Sequence, residues 1–132
     1  MIFVDSTVAL SLIGEDERRT DDARLLLERV ITAGDRLATD AVVLQEILQI
    51  CTDNGCPEAV EPAIELLIGI TDEVLAVDEI DAIRAKEMLY GPERLSTGCC
   101  LHLAVMERCG VARIMSFDAT YDRYSGVSRL TP

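Results

Sequence analysis

The chain opens with Met1-Ile2-Phe3-Val4-Asp5, a short apolar run that ends in an acid. A second run of this kind, Ile114-Met115-Ser116-Phe117-Asp118, lies near the other end of the chain. Short apolar runs such as these indicate buried strands of a parallel sheet. Because parallel strands end at the same edge of their sheet, we expect Asp5 and Asp118 to meet there, where ligands bind in open α/β sheets. The alternative is that each acid only caps the helix that follows it.

Between these two runs, segments with helical periodicity alternate with short strand-like segments. Helices are predicted over residues 6–14, 21–33, 41–52, 57–70, 79–89 and 98–109. Strands are predicted over residues 1–4, 36–39, 73–77, 112–117 and 126–130. This alternation predicts a single α/β domain over residues 1–132, a three-layer sandwich whose central, mainly parallel sheet carries helices on both faces.

The composition excludes several classes of protein. The 132 residues are 49% hydrophobic, which excludes a disordered chain. Twenty-four acidic residues against twelve basic ones give a net charge of −12, which argues against nucleic-acid binding through a general basic surface. An enzyme with an acidic metal site that cuts nucleic acid is still compatible with this charge. No leader or membrane-spanning segment is recognisable, so we expect a cytoplasmic protein with reduced cysteines.

Glu46 is the third informative acid, because it lies on the core border of its predicted helix. Its neighbours on that face are Val42, Val43 and Ile50. Acids seldom occupy such a position unless they are paired or bind a metal, although a glutamate at the edge can also extend to water. We expect the side chain of Glu46 to lie at the carboxyl edge of the sheet, with Asp5 and Asp118.

Several carboxylates that converge without basic partners repel one another, and a divalent cation relieves that repulsion. Carboxylate oxygens suit hard ions, so Mg²⁺ or Mn²⁺ is the expected cofactor. A water made acidic by such an ion can attack a phosphodiester. We therefore predict Asp5, Glu46 and Asp118 as catalytic residues and metal ligands. Asp122 is a further candidate ligand, or else a solvated turn residue.

At these residues the sequence resembles the PIN-domain nucleases, in particular the small VapC-type toxins of toxin–antitoxin pairs. The segments that carry the resemblance are Phe3-Val4-Asp5-Ser6-Thr7, Val42 to Ile47 with Glu46, Leu101-His102-Leu103-Ala104, Ser116-Phe117-Asp118, Tyr121, Gly126-Val127 and Arg129-Leu130. The resemblance implies a PIN fold, metal-dependent endoribonuclease activity on RNA, a homodimer and a cognate antitoxin. For the dimer contact, the helices at 41–52 and 57–70 are the candidates.

One position departs from the family pattern. The family's third acid stands three residues before the histidine of its helix, and here that residue is Cys99, three residues before His102. A thiol is a poor ligand for Mg²⁺. Cys99 is therefore a replaced ligand, and Ser6 and Thr7 are expected beside the remaining acids. The alternative function is a degenerate PIN domain that cleaves little and acts as a binding module. His102 is predicted to be a packed helix residue and not a catalytic base.

Overall fold

The computed structural model describes all of residues 1–132 as a three-layer α/β fold. Its five strands are β1 (Ile2–Val4), β2 (Leu37–Asp40), β3 (Glu73–Leu75), β4 (Arg113–Met115) and β5 (Ser128–Leu130). Its six α-helices are α1 (Ser6–Ile13), α2 (Glu17–Thr32), α3 (Ala41–Asp53), α4 (Val60–Ile70), α5 (Glu79–Leu89) and α6 (Thr97–Cys109). Two 3-10 turns, Pro57–Ala59 and Ala119–Arg123, complete the chain. The predicted α/β class is confirmed.

All neighbouring strands of the sheet are parallel, in the order β3-β2-β1-β4-β5. The central strand β1 is fully buried, and its Phe3 stands opposite Ala38 of β2 and Ile114 of β4. This register brings the ends of β1, β2 and β4 to one edge of the sheet. The first residue after β1 is Asp5, and the last residue of β2 is Asp40.

The helices owe their starting points to acids and hydroxyls at their N-termini. The side chains of Asp5, Asp16, Asp40 and Ser96 accept hydrogen bonds from backbone N–H groups in the first turns of α1, α2, α3 and α6. Three of these caps, Asp5, Asp40 and Ser96, lie at elements that border the carboxyl edge of the sheet. The capping chemistry therefore concentrates polar side chains where the candidate site lies.

Several predicted boundaries were wrong by a few residues. Helix α2 begins at Glu17, four residues earlier than predicted. The prediction missed its first turn because that turn is polar and shows no apolar periodicity. Strand β4 ends at Met115 and leaves Ser116 and Phe117 outside the strand. Pro57–Ala59 forms a separate 3-10 turn in front of α4. The 3-10 turn at Ala119–Arg123 was not predicted.

The core is one continuous cluster of 26 buried apolar residues, with a second cluster of three beside it. The five cysteines are free thiols. None of the helices combines the length and the apolar character that crossing a bilayer requires.

Candidate active site

Asp5 is buried at the end of β1 and binds only hydroxyl and amide groups. Its Oδ1 accepts hydrogen bonds from the backbone N–H of Thr7 at 2.9 Å and from the Thr7 hydroxyl at 2.5 Å. Its Oδ2 accepts one from the Ser116 hydroxyl at 2.5 Å. The capping role considered as the alternative is therefore real, but it occupies one of the two oxygens. No cationic side chain forms an ion pair with Asp5.

Asp118 follows β4 at the same edge of the sheet and caps the 3-10 turn behind it. Its Oδ1 accepts hydrogen bonds from the backbone N–H and the hydroxyl of Thr120, at 2.9 and 2.7 Å. Its Oδ2 lies 3.6 Å from Sγ of Cys99. Cys99 therefore lies against a carboxylate of the site, at the first turn of α6.

Two hydroxyl groups connect the end of β1 to the end of β4. The Ser116 hydroxyl donates to Asp5 and accepts from the backbone N–H of Asp118 at 2.9 Å. The Thr7 hydroxyl accepts from the backbone N–H of Phe117 at 2.9 Å. These bonds place Asp5 and Asp118 on either side of one buried serine, as expected for two acids at neighbouring strand ends.

Glu46 reaches the same region from α3 and is held at both oxygens. Its Oε1 lies 2.9 Å from Nε2 of His102, and its Oε2 accepts a hydrogen bond of 2.9 Å from the Ser6 hydroxyl. The other ring nitrogen of His102, Nδ1, lies 2.8 Å from Oδ2 of Asp40. We call the group Asp40, His102, Glu46 and Ser6 the histidine clamp. It joins β2, α6, α3 and α1.

The prediction for His102 was incomplete. The ring is buried on a largely apolar helix, as predicted, but both of its nitrogens contact carboxylates. An ionised carboxylate only accepts hydrogen bonds, so both nitrogens donate and the ring is an imidazolium. Asp40 uses Oδ1 to cap α3, through the backbone N–H of Val43, and Oδ2 to contact His102. The one available signal was the position of the only histidine on the buried helix.

The acids at this edge have different electrostatic environments. Burial raises the pKa of Asp5, and the hydrogen bonds from Ser116 and Thr7 offset only part of that effect. Burial also acts to raise the pKa of Glu46, but the hydrogen bond and charge of His102 outweigh it and the pKa is lowered. The nearby charge of Asp118 opposes this lowering.

His102 gains its charge from its neighbours. Burial alone acts to lower its pKa, but the hydrogen bonds and charges of Asp40 and Glu46 raise the pKa of His102 to about 10.

Asp118 forms no ion pair. Burial acts to raise the pKa of Asp118, and the hydrogen bonds from Thr120 outweigh it, so the pKa is lowered.

Asp122 lies outside this cluster of contacts. Its two carboxylate oxygens accept hydrogen bonds from the guanidinium of Arg129 at 3.0 and 2.8 Å. The same guanidinium donates to the backbone carbonyl of Ser116 at 3.1 Å. Asp122 thus orients an arginine near the end of β4, and its oxygens are already paired.

The donor atoms at this edge suit a hard divalent cation in kind. Asp5, Glu46 and Asp118 offer carboxylate oxygens, and neither Asp5 nor Asp118 forms an ion pair within the protein. In their present orientations, however, no three His, Cys, Asp or Glu side chains converge as a complete metal-binding group. Cys99 stands beside Asp118, where a further carboxylate would complete the set.

Glu46 packs closely against Gly98, which has no side chain to displace it. A Cβ added at Gly98 would lie 2.6 Å from Oε1 of Glu46, the oxygen that His102 holds. We predict that Gly98→Ala displaces Glu46 and destabilises the fold by about 1–3 kcal/mol through the lost charged hydrogen bond. Gly69→Ala is the matched control, since nothing lies within 4 Å of its added Cβ and it should stabilise α4 by up to about 1 kcal/mol. Urea unfolding measures the free energy of unfolding of both variants. Equal changes in Gly98→Ala and Gly69→Ala would contradict the prediction.

The histidine clamp also predicts a pH dependence of stability. Since the folded-state pKa of His102 is raised from 6.5 to about 10, its stabilisation is complete below pH 6.5 and is lost as the pH rises towards 10. With both proteins free of metal, the free energies of unfolding of wild type and His102→Gln should therefore differ most at pH 6 and progressively less towards pH 10. A difference between the two that stays constant over this range would show that folding does not raise the pKa of His102.

Comparison with known proteins agrees with the fold. The PIN domain family pattern matches residues 2–127. Ribonuclease VapC13 of Mycobacterium tuberculosis is 41% identical over 130 residues, which cover 98% of this chain and 99% of that protein. Ribonuclease VapC23 of the same species is 34% identical over 120 residues, covering 91% of this chain and 94% of that protein.

Solved structures share the architecture over the whole chain. The crystal structure of Mycobacterium tuberculosis VapC20, described as a sarcin–ricin loop cleaving toxin, matches with a TM-score of 0.81 at 21% identity and covers 100% of both chains. VapBC2 from Rickettsia felis, bound to a DNA fragment from its promoter, matches with a TM-score of 0.73 at 12% identity and 98% coverage of both chains. The family match over nearly the full length and the 41% identical relative together show that this chain belongs to the PIN-domain family, among its VapC-type members.

Proposed function

We propose that this chain is an endoribonuclease that hydrolyses RNA phosphodiester bonds with the help of Mg²⁺ or Mn²⁺, as the toxin of a toxin–antitoxin pair. The observation that carries the proposal is the pair Asp5 and Asp118 at neighbouring strand ends: Ser116 binds the carboxylate of Asp5 and the backbone N–H of Asp118, and neither carboxylate forms an ion pair. The relatives at 41% and 34% identity are named ribonucleases, which supports the same activity.

Asp5, Glu46 and Asp118 are the residues that would hold the cation. When bound, a divalent cation supplies a more acidic water and offsets the negative charge of the phosphate. Ser116 and Thr7 fix the orientation of Asp5 through both of its oxygens. His102 and Ser6 fix Glu46 in the same way. Fixed carboxylates avoid the cost of ordering them when substrate arrives.

A degenerate PIN domain that binds RNA or a protein partner without rapid cleavage is the second candidate. The observation in its favour is Cys99, which places a thiol against Asp118 where a carboxylate would strengthen a site for a hard cation. The two candidates differ in turnover and not in fold.

Cleavage of labelled RNA distinguishes them. We predict cleavage with Mn²⁺ or Mg²⁺, none with EDTA, and a loss of at least about a hundredfold in Asp5→Asn or Asp118→Asn, which remove charge from the cation site. Asp122→Asn is the control, because its carboxylate pairs with Arg129. Folded wild-type protein that cleaves no RNA with either metal would favour the binding module.

The role of Cys99 predicts opposite effects with and without metal. Cys99→Asp adds a hard oxygen and a negative charge beside Asp118, so it should tighten Mn²⁺ binding on the order of tenfold. In EDTA the same change should lower the melting temperature, because it adds a like charge to an acidic cluster. Cys99→Asn has the same shape without the charge and should show neither effect. Melting curves that are alike for Asp and Asn in both conditions would exclude Cys99 from the site.

We also propose a homodimer and a cognate antitoxin, in the cytoplasm where RNA is available. Solved VapBC assemblies from several bacteria share this fold, which supports an antitoxin partner. For the dimer, the candidate helices α3 and α4 expose Leu48, Ile50 and Ile68. Such apolar exposure marks interfaces when it is contiguous. Sedimentation as a monomer at high concentration would count against the dimer.

A further inference from the structure

Six of the eleven arginines of this acidic chain form no ion pair with a carboxylate, and Arg94 and Arg123 are two of them. The protein has only twelve basic residues against twenty-four acidic ones. The arginines in ion pairs with carboxylates are Arg36, Arg84, Arg108, Arg113 and Arg129. Arg94 and Arg123 form no ion pair, although both are exposed in a chain rich in acids.

These two residues, which we call the arginine pair, lie next to one another. Nη1 of Arg123 donates a hydrogen bond of 3.3 Å to the backbone carbonyl of Arg94. Together with Pro92 and Glu93 they line an open depression of about 560 Å³. The carboxylate of Glu93 folds back over Gly91, where a Cβ would collide with it, and it pairs with neither arginine. The depression therefore presents two guanidinium groups that have no carboxylate partner.

The arginine pair borders the carboxylates at the edge of the sheet. Arg123 is the last residue of the 3-10 turn that Asp118 caps, and its charge is among the effects that lower the pKa of Asp118, after the hydrogen bonds from Thr120. Arg94 precedes Ser96, the cap of α6, and the first turn of that helix holds Cys99 against Asp118. Arg123 is thus near Asp118, and Arg94 is held next to Arg123 through its backbone carbonyl.

A protein with a net charge of −12 repels RNA at long range, so binding needs a local concentration of positive charge. Guanidinium groups match the geometry of phosphate oxygens and accept no hydrogen bonds themselves. We propose that the arginine pair binds the RNA backbone at a phosphate next to the one that is cut, and so sets the path of the strand across Asp118. This inference rests on the proposed function and identifies the residues that hold its substrate.

The test separates binding from cleavage. The variant is Arg94→Asn with Arg123→Gln. Arg94 has a left-handed backbone with φ 55°, which asparagine tolerates, and glutamine keeps a donor for the carbonyl of residue 94. The control is Arg36→Gln, which removes one exposed charge just before β2, at the opposite edge of the sheet. Binding of a fluorescent 2′-O-methyl single-stranded RNA is measured by anisotropy in EDTA, at several salt concentrations.

The double variant should bind at least about tenfold more weakly, and the slope of log K against log salt should fall by about 1.4, as expected when two phosphate contacts to a single strand are lost. Arg36→Gln should keep the wild-type slope. An unchanged slope in the double variant, or no binding by wild type, would overturn the inference. Loss of binding to a cognate antitoxin with RNA binding intact would also overturn it and assign the surface to a protein.

Failure of the arginine pair to bind RNA can be distinguished from failure of the proposed nuclease activity. If wild type binds RNA with the predicted slopes but cleaves none with Mn²⁺ or Mg²⁺, the nuclease proposal fails and the arginine pair keeps its role. If wild type cleaves RNA and the double variant binds and cleaves it equally well, the nuclease proposal holds and the arginine pair has no role in binding.

Discussion

The site depends on one buried histidine between two carboxylates. His102 is 1% exposed, and its two nitrogens hold Asp40 and Glu46 at 2.8 and 2.9 Å. An imidazolium in the interior is stable only when such partners replace its water, and the fully buried carboxylate of Asp40 needs the histidine in the same way. The histidine clamp thereby ties β2, α3 and α6 into one geometry. Glu46 is held at both oxygens by His102 and Ser6, and the positive charge of the histidine is shared between Asp40 and Glu46.

The other two acids are held by hydroxyls instead of cations. Thr7, Ser116 and Thr120 donate to Asp5 and Asp118 and orient them, but they do not neutralise their charge. No buried side-chain nitrogen or oxygen lacks a partner, so the polar cluster is complete in hydrogen bonds. Its carboxylates nevertheless outnumber its one buried cation, His102, and neither Asp5 nor Asp118 forms an ion pair. This excess of negative charge is the physical argument for the proposed cation, and Cys99 makes the excess smaller than a further carboxylate would.

The sequence predicted those parts of the site that depend on local pattern. Strands that end in Asp5 and Asp118 are visible because an apolar run stops at an acid, and Glu46 is visible because it borders the core of its own helix. The histidine clamp was not predictable in this way, since His102 is 62 residues from Asp40 and 56 from Glu46. The pairing of Asp122 with Arg129 and the close approach at Gly98 likewise depend on how distant elements pack.

The central claim is that Asp5 and Asp118 share a divalent cation at the carboxyl edge of the sheet. Anomalous X-ray scattering from crystals soaked in Mn²⁺ tests this most directly, because it locates the ion without assuming any activity. We expect an anomalous peak bonded to oxygen atoms of both Asp5 and Asp118, with the His102–Glu46 contact intact. A peak bound elsewhere, or no peak at this edge at saturating Mn²⁺, would show that the two acids do not share a cation.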